Sequence, residues 1–315
     1  MNITNVEQRG AISSVYLDVF GGWEQWIYFG SDVHFDSVYC DRDAFFEHMD
    51  LAKKRNAMVF IFGDFFDAMQ GRYDKRRAMP ELRKEYQCKE NYYDVLVDDA
   101  YEKLSDYKDN ITILADGNHE LSVLKNANTN ILDRLSAKLR EHGSGVQHGG
   151  YGGWTRFMFN LSDGNATGPR TSIKLKYFHG AGGEAPVTRG VIQTNRQAVY
   201  LPDANIVVNG HSHNSYYVPI SRERLSNKGE LYFDIQHHIR VAGYKQAYGD
   251  GTTGWEITRG GVPKPIGCIW CRMYCEGHQI KMQFIPDVRG GIPVSVDSNE
   301  LYNGAVFDED DNRQE

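Results

Sequence analysis

Five short segments of this chain each place metal-ligand residue types at the end of an apolar run. The segments are Asp32-Val33-His34, Gly63-Asp64-Phe65-Phe66-Asp67, Gly117-Asn118-His119-Glu120, Phe178-His179-Gly180 and Gly210-His211-Ser212-His213. In an open α/β sheet, sites form at the carboxyl ends of the strands. Residues at i and i+2 of an extended chain point to the same side. The pattern therefore predicts that these side chains meet in one cleft.

The apolar runs before these segments alternate with helix-like stretches. The predicted strands are 26–29, 57–62, 111–114, 173–178 and 206–208, and the predicted helices are 43–55, 91–107 and 130–141. Strand, helix, strand in succession is typical of an α/β fold with much parallel sheet. Four further β runs, 216–220, 230–235, 266–273 and 279–285, are expected to form a second sheet packed with the first. Residues 1–305 are predicted to be a single domain, and the acidic end, 306–315, is expected to be a disordered tail.

Composition excludes several other classes of protein. The 315 residues are 41% hydrophobic and 24% charged, which excludes a disordered chain. No run approaches the ~18 apolar residues of a membrane span, and the N-terminus shows no secretory signal. The net charge of −7 argues against a wholly basic nucleic-acid coat. An odd number of unevenly spaced cysteines favours a reducing compartment, so we expect a cytoplasmic protein.

The ligand types indicate which metals would bind. Carboxylates together with imidazoles suit Mn, Fe, Zn or Ni rather than Ca. The five segments carry too many such groups for one ion, and enough for two ions that share a bridging carboxylate. Two ions about 3.5–4 Å apart can hold both the attacking and the leaving oxygen of a phosphoryl displacement.

The ordered set Asp-x-His, Gly-Asp-x-x-Asp, Gly-Asn-His-Glu, His-Gly, Gly-His-x-His resembles the calcineurin-like metallophosphoesterase superfamily, over about residues 27–214. The overall pattern also resembles phosphoesterases of bacteriophage genomes, for which the location would be the host cytoplasm. The resemblance implies a four-layer α/β/β/α sandwich with mixed sheets. It also implies two divalent transition-metal ions, with Mn preferred and Fe, Zn or Ni as alternatives.

The same resemblance implies a role for each residue. The first metal would be held by Asp32, His34 and His213, and the second by Asn118, His179 and His211. Asp64 would bridge the two ions, and a metal-bridging water or hydroxide would attack the phosphorus. His119 would protonate the leaving oxygen or stabilise the transition state. Asp67 is predicted to orient a ligand, and Glu120 is predicted to be structural or to support the ligands.

The motifs also bear on the substrate. Protein phosphatases of the superfamily carry Asp-Arg-Gly where this chain has Asp67-Ala68-Met69, and they lack the paired ending Gly-His-x-His. That ending resembles repair nucleases and small phosphodiesterases. We therefore predict hydrolysis of phosphodiester bonds in nucleic acid. The alternatives are a phosphodiesterase or phosphatase for small nucleotides, and a non-catalytic scaffold of the same fold.

A basic segment follows the second motif and supports the nuclease prediction. It contains Arg72, Lys75, Arg76, Arg77, Arg83, Lys84 and Lys89, with Tyr73, Tyr86, Tyr92 and Tyr93 nearby. Basic residues interleaved with aromatic ones can follow a phosphate backbone and stack bases. A solvated charged helix is the equally weighted alternative, because acidic residues are mixed in. The candidate phosphate contacts are Arg72, Arg76, Arg77, Arg189 and Arg196.

Two further groups of cysteine and histidine residues have more than one interpretation. Cys268, Cys271 and Cys275 with His278 have the spacing of a zinc site. However, Cys268 and Cys271 would face opposite sides of a strand, so buried free thiols are the preferred interpretation. His237 and His238 could line the cleft, but a solvated pair on a strand is the preferred interpretation.

Overall fold

The computed structural model describes residues 3–68, 81–162, 167–182, 188, 190–246, 248, 255–258, 260–277 and 279–289. The strands are β1 (Ile3–Arg9), β2 (Ile12–Val19), β3 (Glu24–Gly30), β4 (Met58–Phe62), β5 (Ile111–Ala115), β6 (Gln147–Gly149), β7 (Gly152–Ser162), β8 (Thr167–Phe178), β9 (Ile206–Asn209), β10 (Tyr216–Leu225), β11 (Leu231–Arg240), β12 (Ile266–Glu276) and β13 (Gln279–Arg289). The helices are α1 (Arg42–Lys54), α2 (Tyr92–Leu104), α3 (Asn118–Ala127), α4 (Ile131–Glu141), α5 (Val191–Tyr200) and α6 (Trp255–Thr258). The predicted acidic tail lies outside the described residues.

The strands form two mixed sheets. The six-stranded sheet has the order β13-β12-β3-β4-β5-β6, and the seven-stranded sheet has the order β1-β2-β7-β8-β9-β11-β10. Strands β3 to β6 run parallel, as do β8, β9 and β11. The outer strands β12 and β13 of the first sheet pair antiparallel, as do β10 and β11 of the second.

The two sheets pack face to face across one apolar layer. Phe29, Phe60 and Phe62 of the six-stranded sheet meet Phe157 and Tyr177 of the seven-stranded sheet there. A second apolar cluster lies on the outer face of the six-stranded sheet, beneath α1, α2 and α4. Helix α5 lies on the outer side of the other sheet. The predicted α/β/β/α sandwich with mixed sheets is therefore confirmed.

The predicted grouping of the C-terminal strands was wrong. Strands β10 and β11 extend the seven-stranded sheet, whereas β12 pairs with β3 and carries β13 to the edge of the other sheet. The pairing brings Ile269 beside Phe29, so that Ile269 and Cys271 complete the apolar layer between the sheets. Each sheet is thus built from both halves of the chain.

Several elements have no counterpart among the predicted ones. They are strands β1, β2, β6 and β7 and helices α3, α5 and α6. Helix α3 begins at Asn118, within a motif for which the sequence predicts only a strand end. His238 also differs from its prediction: it is buried, whereas a solvated pair was expected.

Cys268 and Cys271 face opposite sides of β12, as expected. Cys268 packs in the cluster beneath α1, and Cys271 packs between the sheets. The two thiols therefore cannot bind one ion together. All five cysteines are free, and His278 lies outside the described residues. In the part of the chain that the structure describes, no helix combines the length and hydrophobicity needed to cross a bilayer.

Candidate metal centre

The five predicted segments meet at one end of the sandwich, where β3, β4, β5, β8 and β9 end. Backbone hydrogen bonds join their loops: the Asp32 N–H donates to the Gly63 carbonyl at 2.9 Å, and the Gly210 N–H donates to the His179 carbonyl at 2.8 Å. Because β3 to β5 lie in one sheet and β8 and β9 in the other, the site lies across the seam between the sheets. Side chains from both sheets thus reach a common cleft.

The backbone is strained where the predicted ligands lie. Nine non-glycine residues in the described ranges have a positive φ, and five of them are predicted ligands: Asp32, His34, Asp64, His211 and His213, with φ between 52° and 71°. Such a conformation costs about 1 kcal/mol or more per residue and concentrates at functional sites. The strain aims these side chains into the cleft immediately after each strand ends.

The first cluster contains Asp32, His34 and His213, whose ligand atoms all lie within 4.8 Å of one another. The two imidazole Nε2 atoms are 3.3 Å apart, and Nε2 of His213 is 3.4 Å from Oδ1 of Asp32. Burial lowers the pKa of His34 to about 4 and that of His213 to about 3. Both rings are therefore neutral at pH 7, the form in which histidine binds metals.

The second cluster contains Asp64, His179 and His211, also within 4.8 Å. Nε2 of His179 lies 3.2 Å from Oδ2 of Asp64 and 3.1 Å from Oδ1 of Asn118. The same nitrogen is 4.0 Å from Oδ1 of Asp32, so the two clusters adjoin.

The electrostatics of the clusters fit divalent cations. Oδ1 of Asp32 is buried and has no hydrogen-bond partner among the described residues. Burial alone would lower the pKa of His179, but the carboxylates of Asp64 and Asp32 outweigh it and raise that pKa to about 10. An unpartnered carboxylate oxygen and carboxylates that draw a proton onto a neighbouring histidine both indicate a site built to hold positive charge, which bound metal ions would supply in place of that proton.

Asp67 lies behind the first cluster. One carboxylate oxygen of Asp67 accepts hydrogen bonds from Nδ1 of His34 at 2.7 Å and from Nζ of Lys245 at 2.9 Å. Through this contact Asp67 would orient the His34 ring toward a metal. The ligand atoms of His34, Asp67 and His119 also lie within 4.8 Å of one another. However, Oδ1 of Asp67 already accepts hydrogen bonds from His34 and Lys245.

His119 stands beside the clusters at the start of α3. Its backbone N–H donates to Oδ1 of Asp64 at 2.9 Å, and its Nδ1 lies 2.5 Å from the carbonyl oxygen of Asp67. With Nδ1 held by that carbonyl, Nε2 is left for the cleft, 3.8 Å from Oδ2 of Asp64.

Glu120 fastens the loop that carries Asp64. Its carboxylate accepts the backbone N–H groups of Asp64 at 3.1 Å, Gly117 at 2.8 Å and Phe66 at 3.0 Å. Burial and the neighbouring Asp64 raise the pKa of Glu120 to about 8. Gly117 is required beside it, because a Cβ there would lie 2.1 Å from Oδ1 of Asp64.

Two supporting residues were missed by sequence reasoning. Asp36 accepts the backbone N–H groups of Asp67 at 2.6 Å and Ala68 at 2.9 Å, and so fixes the loop after β4. It continues the alternation that starts with Asp32 and His34, which was an available signal. Lys245 comes from a distant part of the chain, and no motif marks it.

Of the five arginines predicted to contact phosphate, one lies among the described residues. Arg72, Arg76, Arg77 and Arg189 lie outside the described residues, and Arg196 is exposed on α5. The guanidinium of Arg83 is engaged by the carbonyl oxygens of Ser37 at 3.0 Å and Cys40 at 2.8 Å.

Two of the four tyrosines of the basic segment are engaged within the fold, whereas Tyr73 lies outside the described residues. Tyr86 is buried, and its hydroxyl donates to Asp99. The Tyr92 hydroxyl donates to Asp36 at 2.6 Å. These two tyrosines pack within the fold, which favours the alternative interpretation of this part of the segment over base stacking.

No protein-family model and no curated protein matches the sequence. Among solved structures, Vacuolar Protein Sorting 29 from Cryptosporidium parvum is similar at 12% identity and a TM-score of 0.35, covering 85% of this chain and 100% of that one. A predicted phosphoesterase from Streptococcus pneumoniae is similar at 15% identity and a TM-score of 0.29, covering 86% and 95%. Vacuolar Protein Sorting 29 from Entamoeba histolytica, in complex with Zn²⁺, is similar at 10% identity and a TM-score of 0.32, covering 83% and 98%. Likenesses at these scores carry no conclusion about function.

Proposed function

We propose that this chain is a dinuclear-metal-dependent phosphoesterase of the calcineurin-like type. The observation that carries the proposal is the pair of adjoining His/Asp clusters, with His179 Nε2 and Asp32 Oδ1 4.0 Å apart. Backbone strain concentrates at functional sites, and its presence at five of the proposed ligands favours the enzyme over the non-catalytic scaffold.

The two clusters, with Asn118 beside His179, support the following ligand sets. Asp32, His34 and His213 would hold one ion, Asn118, His179 and His211 would hold the other, and Asp64 would contact both. When bound, the two ions would supply an activated water and neutralise charge on the phosphoryl oxygens. Manganese is our first choice, since carboxylate and imidazole ligands suit it.

The chain's own residues would complete the reaction. His119, with Nδ1 held by the Asp67 carbonyl, would donate the proton on Nε2 to the leaving oxygen. Asp67 would keep the His34 ring in place, and Glu120 would keep the Asp64 loop in place through its three backbone hydrogen bonds.

For the substrate, we propose a phosphodiester within nucleic acid, which makes the protein a nuclease. The support is the basic stretch that includes Arg72, Arg76 and Arg77, close in sequence to Asp67. The second candidate is a phosphodiesterase or phosphatase for small nucleotides. It is favoured by the engagement of Arg83, Tyr86 and Tyr92 within the fold, which removes part of the proposed nucleic-acid track.

The metal proposal is tested by comparing two strand-end carboxylates. Asp64→Asn should lower both the metal content and the hydrolysis of a p-nitrophenyl phosphodiester. Asp116→Asn is the matched control, because Asp116 instead accepts from Asn130 and His148, outside both clusters. Elemental analysis and initial rates with added Mn²⁺ are the measurements. An active wild-type enzyme without transition metal, or an Asp64→Asn variant that keeps both ions, would overturn the proposal.

The substrate proposal is tested with a panel. Oligonucleotides, cyclic dinucleotides and nucleotide monoesters are compared by kcat/KM with Mn²⁺ present. Preference for oligonucleotides supports the nuclease, and preference for either small substrate supports the second candidate.

A further inference from the structure

A second group of metal-ligand side chains lies away from the cleft, on the outer face of the six-stranded sheet. His48 of α1, Cys268 of β12 and Asp287 of β13 bring their ligand atoms within 4.8 Å of one another. Cys268 and Asp287 are directly paired across the two strands, and α1 packs over β12. Three separate elements therefore direct a nitrogen, a sulfur and an oxygen to one point.

The distances within the group suit a shared ion better than a hydrogen bond. Nε2 of His48 is 3.5 Å from Oδ2 of Asp287. An N–H···O hydrogen bond is about 2.7–3.2 Å long. Two ligands at about 2.0–2.1 Å from a tetrahedral zinc ion lie about 3.4 Å apart. Nε2 of His48 is also buried and has no hydrogen-bond partner among the described residues.

The surroundings hold two of the ligands in place. Nδ1 of His48 is 2.7 Å from the hydroxyl of Tyr244, which is 2.8 Å from that of Tyr28. Donation from Nδ1 to Tyr244 leaves the lone pair of Nε2 for a metal, the usual arrangement of a metal-binding histidine. The indole N–H of Trp270 donates to Asp287 at 3.1 Å.

We propose that His48, Cys268 and Asp287 form a zinc site, separate from the dinuclear centre, that fastens the edge strand β13 to helix α1. A thiolate with an imidazole and a carboxylate selects zinc rather than manganese. On binding, Cys268 releases its thiol proton to solvent as the sulfur–zinc bond forms. The Asp287 side chain is 27% exposed and gives the ion a path from solvent, whereas His48 is 3% exposed.

Cobalt provides a test that the dinuclear centre cannot mimic. All ligands proposed for that centre are oxygen or nitrogen, so of the two proposed sites only His48–Cys268–Asp287 can give a sulfur-to-cobalt charge-transfer band, and the cysteine variants below assign the band to Cys268. We expect the metal-stripped full chain to show this band when Co²⁺ is added, and Asp64→Asn to keep it. A folded wild-type chain without the band overturns the zinc site and leaves the phosphoesterase proposal untouched.

The sulfur ligand is identified by a matched pair of variants on one strand. Cys268→Ser should lose the band and about one equivalent of bound zinc, whereas Cys271→Ser, on the opposite face of β12, should keep both. Circular dichroism checks that each variant is folded. If Cys268→Ser does not fold, His48→Gln replaces it, and it should weaken cobalt binding at least tenfold. Retention of the band in Cys268→Ser, its loss in Cys271→Ser, or unchanged affinity in His48→Gln would overturn the proposal.

Discussion

At the scale of single residues, the cleft combines a strained backbone with hydrogen bonds that hold this backbone in place. Asp32, His34 and Asp64 each have a φ of 52°, a conformation that the hydrogen bonds around them must hold. Glu120 and Asp36 supply that restraint, since each accepts two or more backbone N–H groups of the loop after β4. The loop that carries Asp64 is therefore held by buried acidic side chains, and the loop that carries Asp32 and His34 is held to it by backbone hydrogen bonds to the carbonyls of Gly63 and Asp64.

The position of His119 leads to a prediction about proton transfer. His119→Ala should keep both metals, because the ring belongs to neither of the two proposed ligand sets, and should slow turnover about 10²–10⁴-fold. The loss should shrink for a p-nitrophenyl leaving group, which needs no proton. Rates on good and poor leaving groups, with metal content measured in parallel, check this. His142→Ala, an exposed histidine at the end of α4, is the control. An equal loss on both substrates would reject the acid role.

At the scale of elements, the strands and helices that have a clear local hydrophobic pattern could be predicted from the sequence. Strands β4 and β5 are buried along their whole length and appear as continuous apolar runs. Helices α1 and α4 show one apolar face and begin beside polar caps, Asp41 and Asn130. Their bounds were therefore predicted to within a residue or two.

Features that depend on contacts between segments far apart in the sequence could not be predicted. The sheet to which β12 belongs is decided by its contacts with β3, more than 200 residues earlier, and no local pattern encodes them. For the same reason, Lys245 could not be identified from the sequence, because its contact with Asp67 joins two segments that are far apart in the chain. The ligand motifs were recognisable because each is local to one strand end, even though the cleft itself is not.

Strand β11 contains a buried histidine that makes stability depend on pH. Nε2 of His238 donates to Gln236 at 2.9 Å, and Nδ1 is buried without a partner among the described residues. Burial, with Arg222 and His237 nearby, lowers the pKa of His238 to about 4. The unfolded chain binds a proton near pH 6.5, whereas folded His238 does not until about pH 4. The contribution of His238 to stability is therefore fully present above pH 6.5 and is lost as the pH falls toward 4.

We expect His238→Asn to reduce this dependence, by at most about 1.4 kcal/mol per pH unit for one group. Urea unfolding of both proteins between pH 8 and pH 4 is the measurement, with pH 8 as the reference at which His238 is neutral in both states. The same decline in the two proteins would show that other groups cause it.

At the scale of the whole molecule, charge limits how a nucleic acid could approach. With a net charge of −7, most of the surface repels a phosphate backbone, so binding depends on local basic residues. Arg83 is excluded from that role by its contacts with Ser37 and Cys40. Arg76 and Arg77, which lie outside the described residues, are left as the adjacent pair to test.

Replacing Arg76 and Arg77 with Ala should weaken oligonucleotide binding and flatten the slope of log affinity against log salt. Each phosphate contact to a single strand contributes about 0.7 to that slope, so the pair should remove about one to one and a half units. Hydrolysis of a p-nitrophenyl phosphodiester should be unchanged, because the substitutions leave the metal clusters intact. Fluorescence anisotropy across a salt series measures the slope. If the double variant keeps the wild-type slope, the pair makes no phosphate contact and small nucleotides become the preferred substrates.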